Sequence, residues 1–271
     1  MTSLEAIVLG AVQGITEFLP ISSTAHLRIV PALLGWGDPG AAFTAVLQLG
    51  TLAAVVVFFG RELGAMARAT LAAVVDPARR DDGEVRLFIH LVVGTLPVVV
   101  AGVLLKNAIQ GGLRALPVIA AAMIGVALVL AVVERTARHE RGFDEITLRD
   151  ALIIGLAQSL ALIPGVSRSG ITLLAAMAIG LRRDAAARFS FLLSIPAVAG
   201  AAIFEMKHVL HSQEGGAPLV VGLIVAAVTG YASIAWLLRF LRTRTTLPFI
   251  VYRIALGAVI LALLATGHLA G

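Results

Sequence analysis

Two short stretches, 145 residues apart, break the apolar runs of this chain in the same way, and they limit its possible folds more than any other feature. Residues 13–26 read Gln-Gly-Ile-Thr-Glu-Phe-Leu-Pro-Ile-Ser-Ser-Thr-Ala-His, and residues 158–171 read Gln-Ser-Leu-Ala-Leu-Ile-Pro-Gly-Val-Ser-Arg-Ser-Gly-Ile. Gln13 falls on Gln158, Ser22 on Ser167, and the hydroxyl of Thr24 on that of Ser169. Further on, Phe43 pairs with Phe189 and Leu47 with Leu193 at an offset of 146. In each stretch a proline interrupts the helix pattern and a serine can cap the helix that follows. The apolar flanks at 4–18 and 151–163 are shorter than the roughly 20 residues a spanning helix needs. Two short helices around a polar break make a re-entrant hairpin. Such backbone is tolerated at membrane depth only inside protein or beside a water-filled cavity.

The runs at 41–60, 87–105, 116–133, 189–206, 218–238 and 247–267 are long enough to span. With 59% hydrophobic and 14% charged residues and a mean hydropathy of +0.98, the chain is far more apolar than soluble domains. The expected fold is an all-α polytopic membrane protein with six transmembrane helices and two re-entrant helical hairpins. A pI near 10.6 would suit nucleic acid, but the arginines sit between apolar runs rather than in one patch. They read as topology signals, and no nucleic-acid partner is expected. No cysteine is present, which excludes disulfides and thiolate metal sites. No basic region precedes the first apolar run, so no cleavable signal peptide is expected.

If each hairpin returns to the side it entered, the polar connections 61–86, 134–150, 182–188 and 239–244 share one face. That face is cytoplasmic by the positive-inside rule, and both termini are outside. Lys106, Arg114 and Lys207 fall on the opposite side, and Arg28, Arg168 and Arg253 lie in or beside apolar stretches. Repeat one covers about 1–135 and repeat two about 150–268 of a single membrane domain, 1–271. An odd number of crossings per repeat inverts the second half, so the hairpin tips meet near the midplane, as in inverted-repeat transporters.

The chemistry concentrates at those tips. Arg168 is a permanent charge whose planar fork suits phosphate, and glycines such as Gly165 and Gly170 let backbone N–H groups approach an anion. Glu17 is the one carboxylate well inside an apolar run. It reads as a general acid or base, a metal ligand, the residue that orients His26, or a buried group that only pins the hairpin. Gln13, one turn earlier, shares its helix face. His26 follows three hydroxyls, Ser22, Ser23 and Thr24, and can serve as base or nucleophile. Ser23 is the other candidate nucleophile, and imidazole reactivity near neutral pH favours His26. Together the groups suit phosphoryl transfer. No Walker A sequence and no Gly-x-Ser-x-Gly elbow are present, which argues against nucleotide hydrolysis and ordinary esterase chemistry.

At these residues the chain resembles the undecaprenyl pyrophosphate phosphatases, the bacitracin-resistance family, over essentially its whole length. Gln13 to Glu17 match the family's Glu/Gln-x-x-x-Glu motif. Pro20, Ser22, Ser23, Thr24 and His26 match Pro-x-Ser-Ser-Thr-x-His, and Pro164, Gly165, Ser167, Arg168, Ser169 and Gly170 match Pro-Gly-x-Ser-Arg-Ser-Gly. The resemblance implies a bacterial cytoplasmic-membrane enzyme that removes the terminal phosphate of a C55 polyprenyl pyrophosphate, recycling carrier lipid for cell-wall synthesis. It implies a divalent cation, Mg2+ or Ca2+, with Glu17 and secondarily Gln13 as ligands. Glu17, His26, Arg168 and Ser23 would be catalytic, and Ser22, Thr24, Ser167, Ser169 and Gly170 would bind phosphate. Gln13 is the glutamine form of the first motif position, leaving one carboxylate rather than two. The rival reading is a transporter or flippase of the same lipid, which needs anion donors but no nucleophile. A purely structural membrane protein would leave the Glu, His and Arg cluster unexplained. A second copy of the chain, in a homo-oligomer, is a further candidate partner.

Overall fold

The computed structural model describes residues 2–37, 40–105, 115–211 and 216–268, excluding the side chains at 40–42, 45 and 202–211. The expected connection at 106–114 and the side chain of Lys207 lie outside the described residues. Eleven α-helices and no strand occur among those described: α1 Ser3–Phe18, α2 Ser23–Leu33, α3 Gly40–Phe58, α4 Gly60–Val75, α5 Gly83–Leu104, α6 Leu116–Thr136, α7 Leu148–Gln158, α8 Arg168–Ala178, α9 Arg183–His211, α10 Ala217–Leu241 and α11 Leu247–Ala265. Helices α5, α6, α10 and α11 are each long and apolar enough to cross a membrane.

The segment 61–86, expected as a polar connection, is largely helical. Helix α4 leaves α3 at a bend of 75°, and Val46–Phe58 with Gly60–Val75 pass the length and hydropathy test only as a pair. Its arginines hide an amphipathic helix whose Met66 and Ala73 are buried. A short 3-10 turn, Pro77–Asp81, follows, with Asp76 Oδ1 accepting from Ala78 N at 3.1 Å.

Both short-helix pairs begin with a reciprocal cap. Thr2 Oγ1 accepts from Glu5 N (3.2 Å) while Thr2 N donates to Glu5 Oε2 (2.8 Å). Thr147 and Asp150 repeat the arrangement at the start of α7. These caps satisfy first-turn N–H groups that have no intrahelical partner.

Each pair then packs against a long helix from the other half of the chain. Helix α1 lies along α10 and α7 lies along α5. Both crossings are backbone to backbone: a Cβ on Gly10 would overlap the Gly222 carbonyl, and one on Gly155 would overlap that of Gly94. Helices α6 and α11 pair with each other, as do α3 and α9. Between them lies a core that includes Phe18, Ile154, Met177, Phe189 and Phe191, with Phe18 and Phe191 edge to face at 5.3 Å.

Polar bonds draw the arginine-rich segments together. Arg188 pairs with Glu62 at 2.9 Å, and Glu134 accepts from Arg183 and from the Thr246 hydroxyl. Arg141 reaches both Asp150 and the Ile179 carbonyl. The bond to Asp150 raises the Arg141 pKa above its ordinary value.

Candidate active site

The two breaks are built alike. After α1 the backbone turns extended at Leu19, and α2 starts at Ser22, a non-glycine residue with φ 75°. After α7 a 3-10 turn, Ser159–Leu162, leads through Gly165 (φ 94°) to Ser167, with φ 72°, where α8 starts. A positive φ on a residue with a Cβ costs about 1–3 kcal/mol and persists only where the surroundings enforce it, commonly at functional sites. Ser167 Oγ accepts from Gly170 N at 3.1 Å and so caps α8. Gly165 is required twice over, because its φ is left-handed and a Cβ there would overlap the backbone of Ile119.

The hairpins are joined by charge. Arg168 Nη2 donates to Glu17 Oε1 at 2.7 Å, while Ser23 Oγ donates to Glu17 Oε2 at 2.6 Å. Gln13 Nε2 donates to the same Oε2 at 3.0 Å and approaches Thr51 Oγ1 at 3.5 Å. The carboxylate is therefore neutralised by the guanidinium and held by two further donors, which a charge removed from water requires. Ser169 Oγ donates across to the Leu19 carbonyl at 3.0 Å, fastening one break to the other.

A cavity of about 170 Å³ opens beside this cluster, with Glu17, Ser22, Ser23, Thr24, Ser167 and Arg168 on its wall. Two helix N-termini, those of α2 and α8, reach it. Their first-turn N–H groups and positive dipole ends favour an anion. Gln13, His26, Ser169 and Gly170 lie behind the wall. His26 Nδ1 donates to the Ser22 carbonyl at 2.7 Å, which fixes the proton on that nitrogen because a carbonyl only accepts. Its Nε2 meets the Tyr252 hydroxyl at 2.6 Å. Both ring nitrogens are thus engaged, and His26 is not on the cavity wall.

Three contributors escaped the sequence reading. Arg253, fully buried on α11, donates to Pro20 O (3.2 Å) in the first break and to Gly165 O (2.9 Å) and Val166 O (3.1 Å) in the second. Its Nε also reaches Met123 O on α6 at 3.1 Å. An arginine inside an apolar run was the available signal. Tyr252 beside it carries no signal of its own. Gln158, used above only to mark the repeat, lines the cavity.

No group of three or more His, Cys, Asp or Glu side chains is placed to hold a metal among the described residues. The donors present are hard oxygens nonetheless. Gln13 Oε1 is buried without a partner beside Glu17. One carboxylate plus neutral oxygens fits Mg2+, which usually retains waters and binds substrate phosphate rather than a full protein cage.

The model of a family described as Bacitracin resistance protein BacA matches residues 6–259. Similar proteins include the undecaprenyl-diphosphatase of Myxococcus xanthus (strain DK1622), 53% identical over 274 residues covering 99% of this chain and 91% of that protein. The undecaprenyl-diphosphatase of Nocardioides sp. (strain ATCC BAA-499 / JS614) is 50% identical, covering 98% of each chain. That of Chlorobium limicola (strain DSM 245 / NBRC 103803 / 6330) is 46% identical, covering 99% of each.

Proposed function

The chain belongs to the BacA family of bacitracin resistance proteins, and from that premise we propose that it is a membrane undecaprenyl-diphosphatase. It hydrolyses undecaprenyl pyrophosphate to the monophosphate and inorganic phosphate, recycling the carrier lipid for cell-wall synthesis. One observation carries the reading: a serine hydroxyl on a carboxylate that an arginine from the other hairpin neutralises, on the wall of one cavity.

In this reading Ser23 Oγ attacks the terminal phosphorus and the bond to the lipid monophosphate breaks. Arg168 leaves Glu17 to hold non-bridging oxygens, and the α2 and α8 N-termini share that charge. Without its guanidinium partner, Glu17 is freer to take the serine proton. Glu17 passes that proton to the departing lipid monophosphate; a water then hydrolyses the phosphoserine, with Glu17 accepting the water's proton and returning it to Ser23 Oγ as orthophosphate leaves. His26 keeps the Ser22 backbone in place rather than attacking. Glu17 and Gln13 would hold the divalent cation, Mg2+ or Ca2+, which supplies positive charge against the phosphate oxygens.

We further read the chain as an inverted repeat of six spans and two re-entrant hairpins whose tips meet near the midplane. The paired crossings α1 with α10 and α7 with α5, each at a glycine–glycine contact, support that reading, as do Ser22 and Ser167 with matching φ. The gathered arginine segments support a cytoplasmic face in the bacterial inner membrane with both termini outside.

Purified protein should release orthophosphate from C55 pyrophosphate, and chelator should suppress the release. A lipid carrier instead would move polyprenyl phosphate across vesicles without releasing phosphate.

A further inference from the structure

Gln158 is fully buried, and neither its Nε2 nor its Oε1 has a hydrogen-bond partner among the described residues. Leaving both ends of a buried amide unpaired is costly, so such a group requires an explanation. The residue lines the same cavity as Glu17, Ser167 and Arg168.

Its counterpart in the first half indicates what kind of partner is absent. Gln13 Nε2 is satisfied by Glu17 (3.0 Å) and approaches Thr51 (3.5 Å). At the offsets of 145 and 146 the second half places Leu162 and Ala197 in those positions. Both also line the cavity. The second-half amide has therefore lost both oxygen acceptors, and one of them in the first half is an anion.

We propose that Gln158 is a substrate-binding residue whose Nε2 donates to an oxygen of the phosphate that stays on the lipid. This rests on the diphosphatase reading. Ser23 and Arg168 take the terminal phosphate, while Val98, Leu162, Ala197 and Ala201 make an apolar stretch of the same wall. That apolar part suits the prenyl end, and Gln158 shares the wall with both. That phosphate is the leaving group, but a hydrogen bond to its non-bridging oxygen is already made in the bound ground state and strengthens only slightly as charge builds on the bridging oxygen. It therefore contributes more to KM than to kcat and selects diphosphate over monophosphate.

The test is steady-state kinetics of the full chain in detergent with C55 pyrophosphate, comparing wild type, Gln158→Met and Gln158→Glu. Inhibition by methylenediphosphonate and by orthophosphate is measured alongside. Methionine keeps the shape and removes the unpaired amide, so its melting temperature should equal or exceed the wild type's. Its KM should rise about tenfold with kcat within about twofold, the scale of one hydrogen bond to a charged group. The inhibition constant of methylenediphosphonate should rise by the same factor, and that of orthophosphate should not change. The glutamate variant, which removes the donor and adds like charge, should lose at least as much. Unchanged constants in both variants overturn the proposal, as does a fall in kcat alone or a methionine variant that no longer folds. Wild type that binds methylenediphosphonate through Gln158 yet releases no phosphate from the lipid keeps the anion site and sinks the phosphatase reading.

Discussion

Arg253→Met removes the clamp between the two hairpin breaks while nearly preserving side-chain length. The carbonyls of Pro20, Gly165 and Val166 lie outside regular helix, and Arg253 is their donor at 2.9–3.2 Å. Met123 O, within α6, keeps its place in the helical ladder. The change therefore orphans three break carbonyls, each costing about 1–3 kcal/mol when buried. Against that stands the relief of a fully buried guanidinium, several kcal/mol on its own. The net, as the balance of these opposing costs, should be about 3 kcal/mol of destabilisation. For a chain of this size that lowers Tm by roughly 6–12 °C. Turnover should fall further than stability, because releasing the clamp lets Ser23 and Arg168 drift apart. The assay is thermal unfolding in detergent beside phosphate release at a temperature where both proteins remain folded. A Tm within about 2 °C of wild type and turnover within twofold would refute the clamp.

Arg168→Lys keeps the charge but loses the fork, and should reduce kcat/KM about tenfold or more while leaving insertion and Tm unchanged; turnover near wild type would make Arg168 structural. Gln13→Glu adds a second carboxylate beside Glu17 and should lower the Mg2+ concentration for half-maximal activity; an unchanged metal titration would place the ion elsewhere. Gly155→Leu drives a side chain into the Gly94 backbone and should abolish folded yield, whereas Gly125→Leu, where a Cβ would meet nothing, should be recovered normally.

The breaks were legible because proline, glycine and serine carry strong local information. Pro20 follows the end of α1 as expected, α7 stops earlier, at Gln158, with a 3-10 turn, Ser159–Leu162, leading to Pro164, and Ser22 and Ser167 adopt the same backbone at the same offset. Glu17 and Arg168 were legible as charges in apolar surroundings, and they do meet. What the sequence could not convey was direction across distance. The ring of His26 is set by Tyr252, 226 residues away, so its proximity to three hydroxyls said nothing about which way its nitrogens point. Arg253 reaches Pro20 over 233 residues, and no local pattern records that bond. Helix α4 was masked differently. Its arginines lowered the apolar signal below what a span needs, although Met66 and Ala73 still mark a buried face.

The central claim is that Ser23, activated by Glu17, attacks the terminal phosphate. Rapid quenching of the enzyme with terminally labelled C55 pyrophosphate addresses it most directly. The account predicts an acid-stable, base-labile phosphoryl adduct that maps to Ser23 and vanishes in Ser23→Ala. An acid-labile, base-stable adduct that persists in Ser23→Ala and is lost in His26→Ala would contradict it and assign the attack to the histidine.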